Sequence, residues 1–139
     1  MDEVKVVTEL RLKNLIYESY EGNEDLNTIF SFLNNVLNSG IDCVGHTLIE
    51  VDDSKNSIKK LMVQVFDLER FNTFKKKDVL LYSCLTLDYV GKIENIADAI
   101  LKINLYAKKN DIKLSNNTYL LIQNNIQDFL HIKIYKECK

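Results

Sequence analysis

Apolar and polar positions change period along the chain, and each change marks an element. Over residues 6–20, Leu10, Leu12 and Ile16 interleave with Arg11, Lys13, Leu15 and Tyr17. A period of two predicts a strand, and the mixed register around Asn14 predicts a bulge within it. Over residues 24–38 the period lengthens. Leu26, Ile29, Phe30, Leu33, Val36 and Leu37 fall three and four apart, which makes one apolar stripe on a helix. Asn23 is placed to cap that helix, Glu24 and Asp25 put negative charge where its dipole favours it, and Gly40 suits the residue just past its end. Two apolar segments, 45–51 and 58–68, follow. They are joined by Asp52-Asp53-Ser54-Lys55-Asn56, whose turn chemistry predicts a hairpin.

Residues 69–78 are polar and aperiodic and read as a connector, with Lys75-Lys76-Lys77 as a solvated loop. The order then repeats. Val79, Leu81, Ser83, Leu85, Leu87 and Tyr89 predict one face of a strand. Ile93, Ile96, Ala97, Ile100, Ile103 and Ala107 line a second helix, with Lys108 and Lys109 in its last turn and Asn110 or Asp111 to close it. Residues 118–122 and 129–135 are strands on either side of a turn at 124–128. Both halves use one phrase at the strand-to-helix corner, Tyr20-Glu21-Gly22-Asn23 and Tyr89-Val90-Gly91-Lys92, where glycine relieves strain at Cβ. The pattern describes an α+β chain built as a tandem βαββ repeat, a single domain over 1–139 with pseudo-repeats at about 6–68 and 79–136.

Composition narrows the function classes. A formal charge of −2 gives no basis for a nucleic-acid or anionic-membrane partner. No apolar run approaches the roughly 18 residues of a membrane span. Cys43, Cys84 and Cys138 are odd in number and far apart, which excludes a complete disulfide framework and any CxxC site. Met1-Asp2-Glu3-Val4-Lys5 has neither the basic start nor the apolar core of a signal peptide, so a cytoplasmic location is expected.

The element order, with Tyr-x-Gly before each helix, resembles the duplicated βαββ module of the GyrI-like effector-binding domains, relatives of the drug-binding domains of bacterial multidrug regulators. The resemblance spans about residues 6–135. Within that superfamily, the Asn/Lys/Ile-rich chain looks most like a small uncharacterised Firmicute family encoded beside LXG toxins of type VII secretion. It implies one mostly antiparallel sheet with two helices on one face and a cleft on the other. In drug-binding members, a buried acid on the strand after the second helix meets a cationic ligand. Here that strand reads Thr118-Tyr119-Leu120-Leu121-Ile122-Gln123-Asn124, with no acid. Glu50, in the equivalent strand of the first half, is the substitute, and its position predicts an exposed strand end.

No phosphate loop, dinucleotide fingerprint, zinc spacing or EF-hand loop is present, and no cofactor or metal is implied. His46 and His131 are the only histidines. A Cys–His hydrolase built from Cys43 or Cys84 with His46 is the remote alternative, and an enzyme is not expected. Tyrosines are dense on the predicted strands, and Tyr17, Glu50, Tyr82 and Tyr119 are the candidate cleft residues. Phe32, Leu105 and Tyr106 are apolar but off the helix stripes, which suggests a surface for another protein. Two functions follow. The first is a non-enzymatic protein-binding module, an accessory or chaperone-like factor for a type VII secreted toxin. The alternative is a small-molecule effector-binding domain.

Overall fold

Strands account for most of the described residues. The computed structural model describes residues 4–20, 31, 32, 34–36, 38, 44–52, 57–92, 95–126 and 129–139. Its strands are β1 (Lys5–Val7), β2 (Leu10–Ser19), β3 (Val44–Asp52), β4 (Ser57–Val65), β5 (Lys75–Leu81), β6 (Cys84–Gly91), β7 (Leu114–Ile126) and β8 (Phe129–Cys138). A long helix spans Ile96–Lys109, and the described residues between 31 and 38 are helical. The strands form one eight-stranded sheet in the order β1-β6-β8-β7-β3-β4-β2-β5, with every neighbour antiparallel.

That order reads the same from either end once β1 is matched to β5, β2 to β6, β3 to β7 and β4 to β8. The repeat is therefore one strand longer than βαββ. Each half opens with a strand that leaves its own half and pairs in the other: β1 with β6, and β5 with β2. Two expectations are corrected by this. Residues 75–78 of the presumed connector are strand, because the Lys75–Leu81 backbone completes the edge beside β2. Likewise, the strand expected through 79–89 breaks at Tyr82 and Ser83, since β5 and β6 belong to opposite ends of the sheet.

Alternation along the strands separates two faces. On one, Leu61, Val63 and Ile16 pack with Phe32 and Val36 of the first helical segment. Leu85, Leu87, Leu120, Ile132 and Ile134 pack with Ala99, Ile103 and Ala107 of the long helix. Ile49 touches both clusters, so both helices lie on the same side. Lys136, itself buried, donates to Asn104 Oδ1 at 2.8 Å and ties sheet to helix. The opposite face carries a third cluster with no helical member, in which Leu48, Met62 and Leu121 meet Leu10, Leu12, Val79, Leu81 and Cys84. The sheet curls until β2 and β6, well apart in the strand order, share this core.

The expected bulge lies at Asn14, which has φ 61° and falls where the β2–β5 register shifts between Leu12 and Leu15. The extra residue changes parity, so Leu10 and Leu12 face the same side as Leu15 and Tyr17. The displaced Asn14 N–H donates to Asp78 Oδ1 at 2.9 Å.

In the long helix the buried residues are Ala99, Ile103 and Ala107, with Ile96 and Ile100 partly buried and Ala97 exposed. Asn110 closes it, Asp111 takes φ 55°, and the Ile112 N–H returns to the Ala107 carbonyl at 2.8 Å. Of the first helix's expected stripe, Val36 is buried, whereas Leu26, Ile29, Phe30, Leu33 and Leu37 lie outside the described residues, as do Gly22, Asn23, Gly40, Ile93 and residues 53–56. Of the turn expected at 124–128, residues 124–126 instead continue β7, paired with β8, and 127–128 lie outside the described residues.

Gly91 is needed for room rather than for an unusual backbone angle. The Tyr89 hydroxyl folds back to donate to the Lys92 carbonyl, and a Cβ on Gly91 would meet it at 2.6 Å. Gly91→Ala is expected to cost about 1–2 kcal/mol, and much less in a Tyr89→Ala background, where the obstructing ring is gone. A denaturant double-mutant cycle measures the difference. Asn14→Gly should leave stability near the parent value, whereas Asn14→Val should lose about 1–2 kcal/mol, because a β-branched residue resists the left-handed region.

Candidate functional site

On the face without described helices, a polar group adjoins the apolar cluster where β3, β4, β2 and β5 run side by side. Glu50 stands there. It pairs in register with Lys60 on β4 and with Tyr119 on β7. Contrary to the exposed strand end expected, its side chain is only 3% exposed, because strands flank β3 on both sides. Glu50 Oε2 lies 3.4 Å from Lys59 Nζ, while Oε1 is buried and has no hydrogen-bond partner among the described residues. Leaving a buried carboxylate oxygen unsatisfied is costly.

Tyr119 packs beside this acid, and burial, followed by the Glu50 charge, pushes its phenol above the ordinary tyrosine range. Tyr17, half-buried on β2, has the Lys60 ammonium 5.6 Å and the Lys77 ammonium 6.0 Å from its ring centroid. Burial, and then the neighbouring Lys60, hold the Lys77 amine below its usual value. Next to Tyr17 a recess of about 310 Å³ opens, walled also by Glu18, Ser19, Phe32, Thr73, Phe74 and Lys75. Of the expected cleft residues, Glu50 and Tyr119 are thus brought together as cross-strand neighbours, and Tyr17, two strands from Glu50, is joined to them through Lys60. Tyr82 is not: it sits at the bend between β5 and β6, 64% exposed. Lys59, Lys60 and Lys77 were missed as site residues. For Lys77 the reason is that the lysine run read as a loop.

The expected partner surface is also changed. Phe32 is buried, edge-on to Phe74 at 5.9 Å, with Phe71 beyond it. Both of those aromatics come from a segment whose polar neighbours had suggested plain connector. Tyr106 is half-buried against the long-helix cluster. Leu105 alone of the three is exposed, at 56%, as expected.

The cysteine chemistry is equally defined. Cys84 is fully buried, and burial pushes its thiol up to about 11. His46 is exposed on β3, three strand positions from β6, roughly 14 Å at the usual spacing. The Cys84–His46 pair is therefore not assembled, and Cys43 lies outside the described residues. His131 is a sheet residue whose Nε2 is 3.8 Å from Asp88 Oδ1. Among the described residues no cluster of His, Cys, Asp and Glu could hold a metal, and no helix is long and apolar enough to cross a membrane.

No protein-family model matches the chain, and no curated protein matches its sequence. Solved structures do match its fold. A hydrolase from Listeria innocua aligns with TM-score 0.58 at 7% identity, over 99% of this chain and 91% of that one. SAV2435 bound to tetraphenylphosphonium aligns with TM-score 0.55 at 12% identity, over 100% and 94%. A Staphylococcus aureus MU50 protein provisionally assigned to transcription regulation aligns with TM-score 0.52 at 12% identity, over 100% and 98%. These likenesses are of fold alone.

Because the thiolate is the reactive form, Cys84 near pH 8 is about one part in a thousand ionised. Alkylation followed by peptide mapping should therefore label the partly exposed Cys138 well before Cys84, which becomes reactive only on unfolding.

Proposed function

We propose that the protein is a small-molecule-binding module and that its ligand docks at the sheet edge beside Tyr17 and reaches across β4 toward Glu50 and Tyr119 on the helix-free face. The observation that carries this reading is Glu50 Oε1, a buried acceptor with no partner among the described residues. A ligand N–H or cationic group placed there would satisfy it. The recess beside Tyr17, about 310 Å³, is at the small end of ligand sites, and it is aromatic where a flat ligand body would rest. Tetraphenylphosphonium on a protein of the same fold supports the small-molecule class. The role is non-enzymatic. The hydrolase likeness is one of fold alone, and the buried Cys84 thiol is tuned away from nucleophilic attack.

Binding of another protein, including an accessory role beside a type VII toxin, drew on Phe32, Leu105 and Tyr106. With Phe32 inside the core and Tyr106 half inside, that surface has lost most of its apolar area, and the small-molecule reading takes precedence.

The test uses dansylamide, a fluorescent aromatic carrying an NH₂ donor. Wild-type protein should enhance its fluorescence with half-saturation in the micromolar range, and Glu50→Gln should weaken binding at least about tenfold, the effect of one charge-assisted hydrogen bond. The same substitution should not lower the melting temperature, since it removes a buried charge. Unchanged affinity in Glu50→Gln would remove Glu50 from the site.

A further inference from the structure

The charges around Glu50 do not match a purely cationic ligand. Lys59, Lys60 and Lys77 are three ammonium groups set about one carboxylate, an excess of two positive charges. Lys59 is the one in contact with Glu50. Lys60 stands opposite Glu50 in the β3–β4 register, yet its ammonium lies over Tyr17, where the Lys77 ammonium also lies. Neither of these two forms an ion pair among the described residues.

Two like charges sharing one ring repel, and both side chains are half-buried, so water screens them less than at an open surface. A cation–π contact with each is weakly attractive and leaves the excess charge in place. Burial and repulsion from Lys60 act on Lys77 against a smaller pull from Glu50, and a bound anion would relieve what remains. A lipophilic cation would raise the local excess from two charges to three. The recess beside Tyr17 adds one cation, Lys75, and one carboxylate, Glu18, to its aromatic wall of Phe32 and Phe74, so the excess of two is unchanged and apolar surface lies next to it.

We propose that the ligand is an amphipathic acid, its acidic head held by Lys60 and Lys77 over Tyr17 and its apolar body in the recess lined by Phe32 and Phe74. This rests on the small-molecule reading and names the class of ligand for that site. Lys60 and Lys77 then select for the acid, while Glu50 takes a donor elsewhere on the same molecule.

Dansylglycine and its methyl ester share one fluorophore and one sulfonamide N–H and differ only in the carboxylate. The acid is expected to bind wild-type protein about tenfold more tightly than the ester, the effect of one charge-assisted bond. Lys60→Gln and Lys77→Gln should each shrink that ratio severalfold by weakening the acid and leaving the ester unchanged. Both positions are on the sheet surface, and melting curves check that the fold is retained. The inference is overturned, with the cleft reading intact, if the ester binds as tightly as the acid. It is overturned in the same way if the lysine variants weaken both probes equally, or if tetraphenylphosphonium binds more tightly than dansylglycine. If dansylamide, dansylglycine and the ester all fail to bind wild-type protein, the cleft reading falls, and this inference with it.

Discussion

The antiparallel seam between β3 and β7 joins the two halves of the sheet, and its register decides which side chains look away from the helices. Thr47 to Asp52 pair with Ile122 to Asn117, and within that run Glu50 meets Tyr119 on the helix-free side while Ile49 meets Leu120 on the other. A slip of one residue would carry Glu50 into the apolar layer beneath the helices and bring Ile49 out. The hydrophobic clusters on both faces forbid this. The acid is thus held at the centre of the sheet by the packing of its neighbours, and its unsatisfied oxygen follows from the same alternation that builds the core.

Much of the architecture was legible because amphipathic periods are local. The hairpin of β3 and β4, the long helix with its Asn110 closure and the bulge at Asn14 each left a signature within a few residues. Strand exchange did not, because β1 and β5 are defined by partners far away in sequence. The expected strand over 6–20 is in fact two, β1 and β2, broken at Thr8 and Glu9, and Lys75–Leu81 reads as a loop followed by the next strand. Phe71 and Phe74 were obscured by Glu69, Arg70, Asn72 and Thr73, and without them nothing indicated that Phe32 would turn inward. The Tyr-x-Gly corner was recognised, but its physical cause was not. Only the folded ring of Tyr89 shows what the glycine makes room for.

The candidate site was half legible for a related reason. Tyr17, Glu50 and Tyr119 could be named from alternation and chemistry, yet Glu50 was assigned to solvent because its strand end was judged in isolation. Its burial depends on neighbours on both sides, β4 and β7, and those come from different halves of the chain. The lysines were hidden more thoroughly. Lys60 reads as the polar half of an ordinary strand, and Lys77 as one of a solvated run. Only the sheet order brings them onto either side of the strand that carries Tyr17.

The exchanged first strands also bear on how the chain reaches its native state. β1 must find β6 across some eighty residues of sequence, since Val6 pairs with Leu85, and β5 must close back onto β2 across more than sixty, since Val79 pairs with Leu12. Contacts of such separation cost loop-closure entropy before they return any stability, and they slow folding relative to local hairpins. They also make the halves mutually dependent. Neither four-strand unit has both of its edges finished until the other is in place, so folding that begins in one half becomes stable only when it has spread through both.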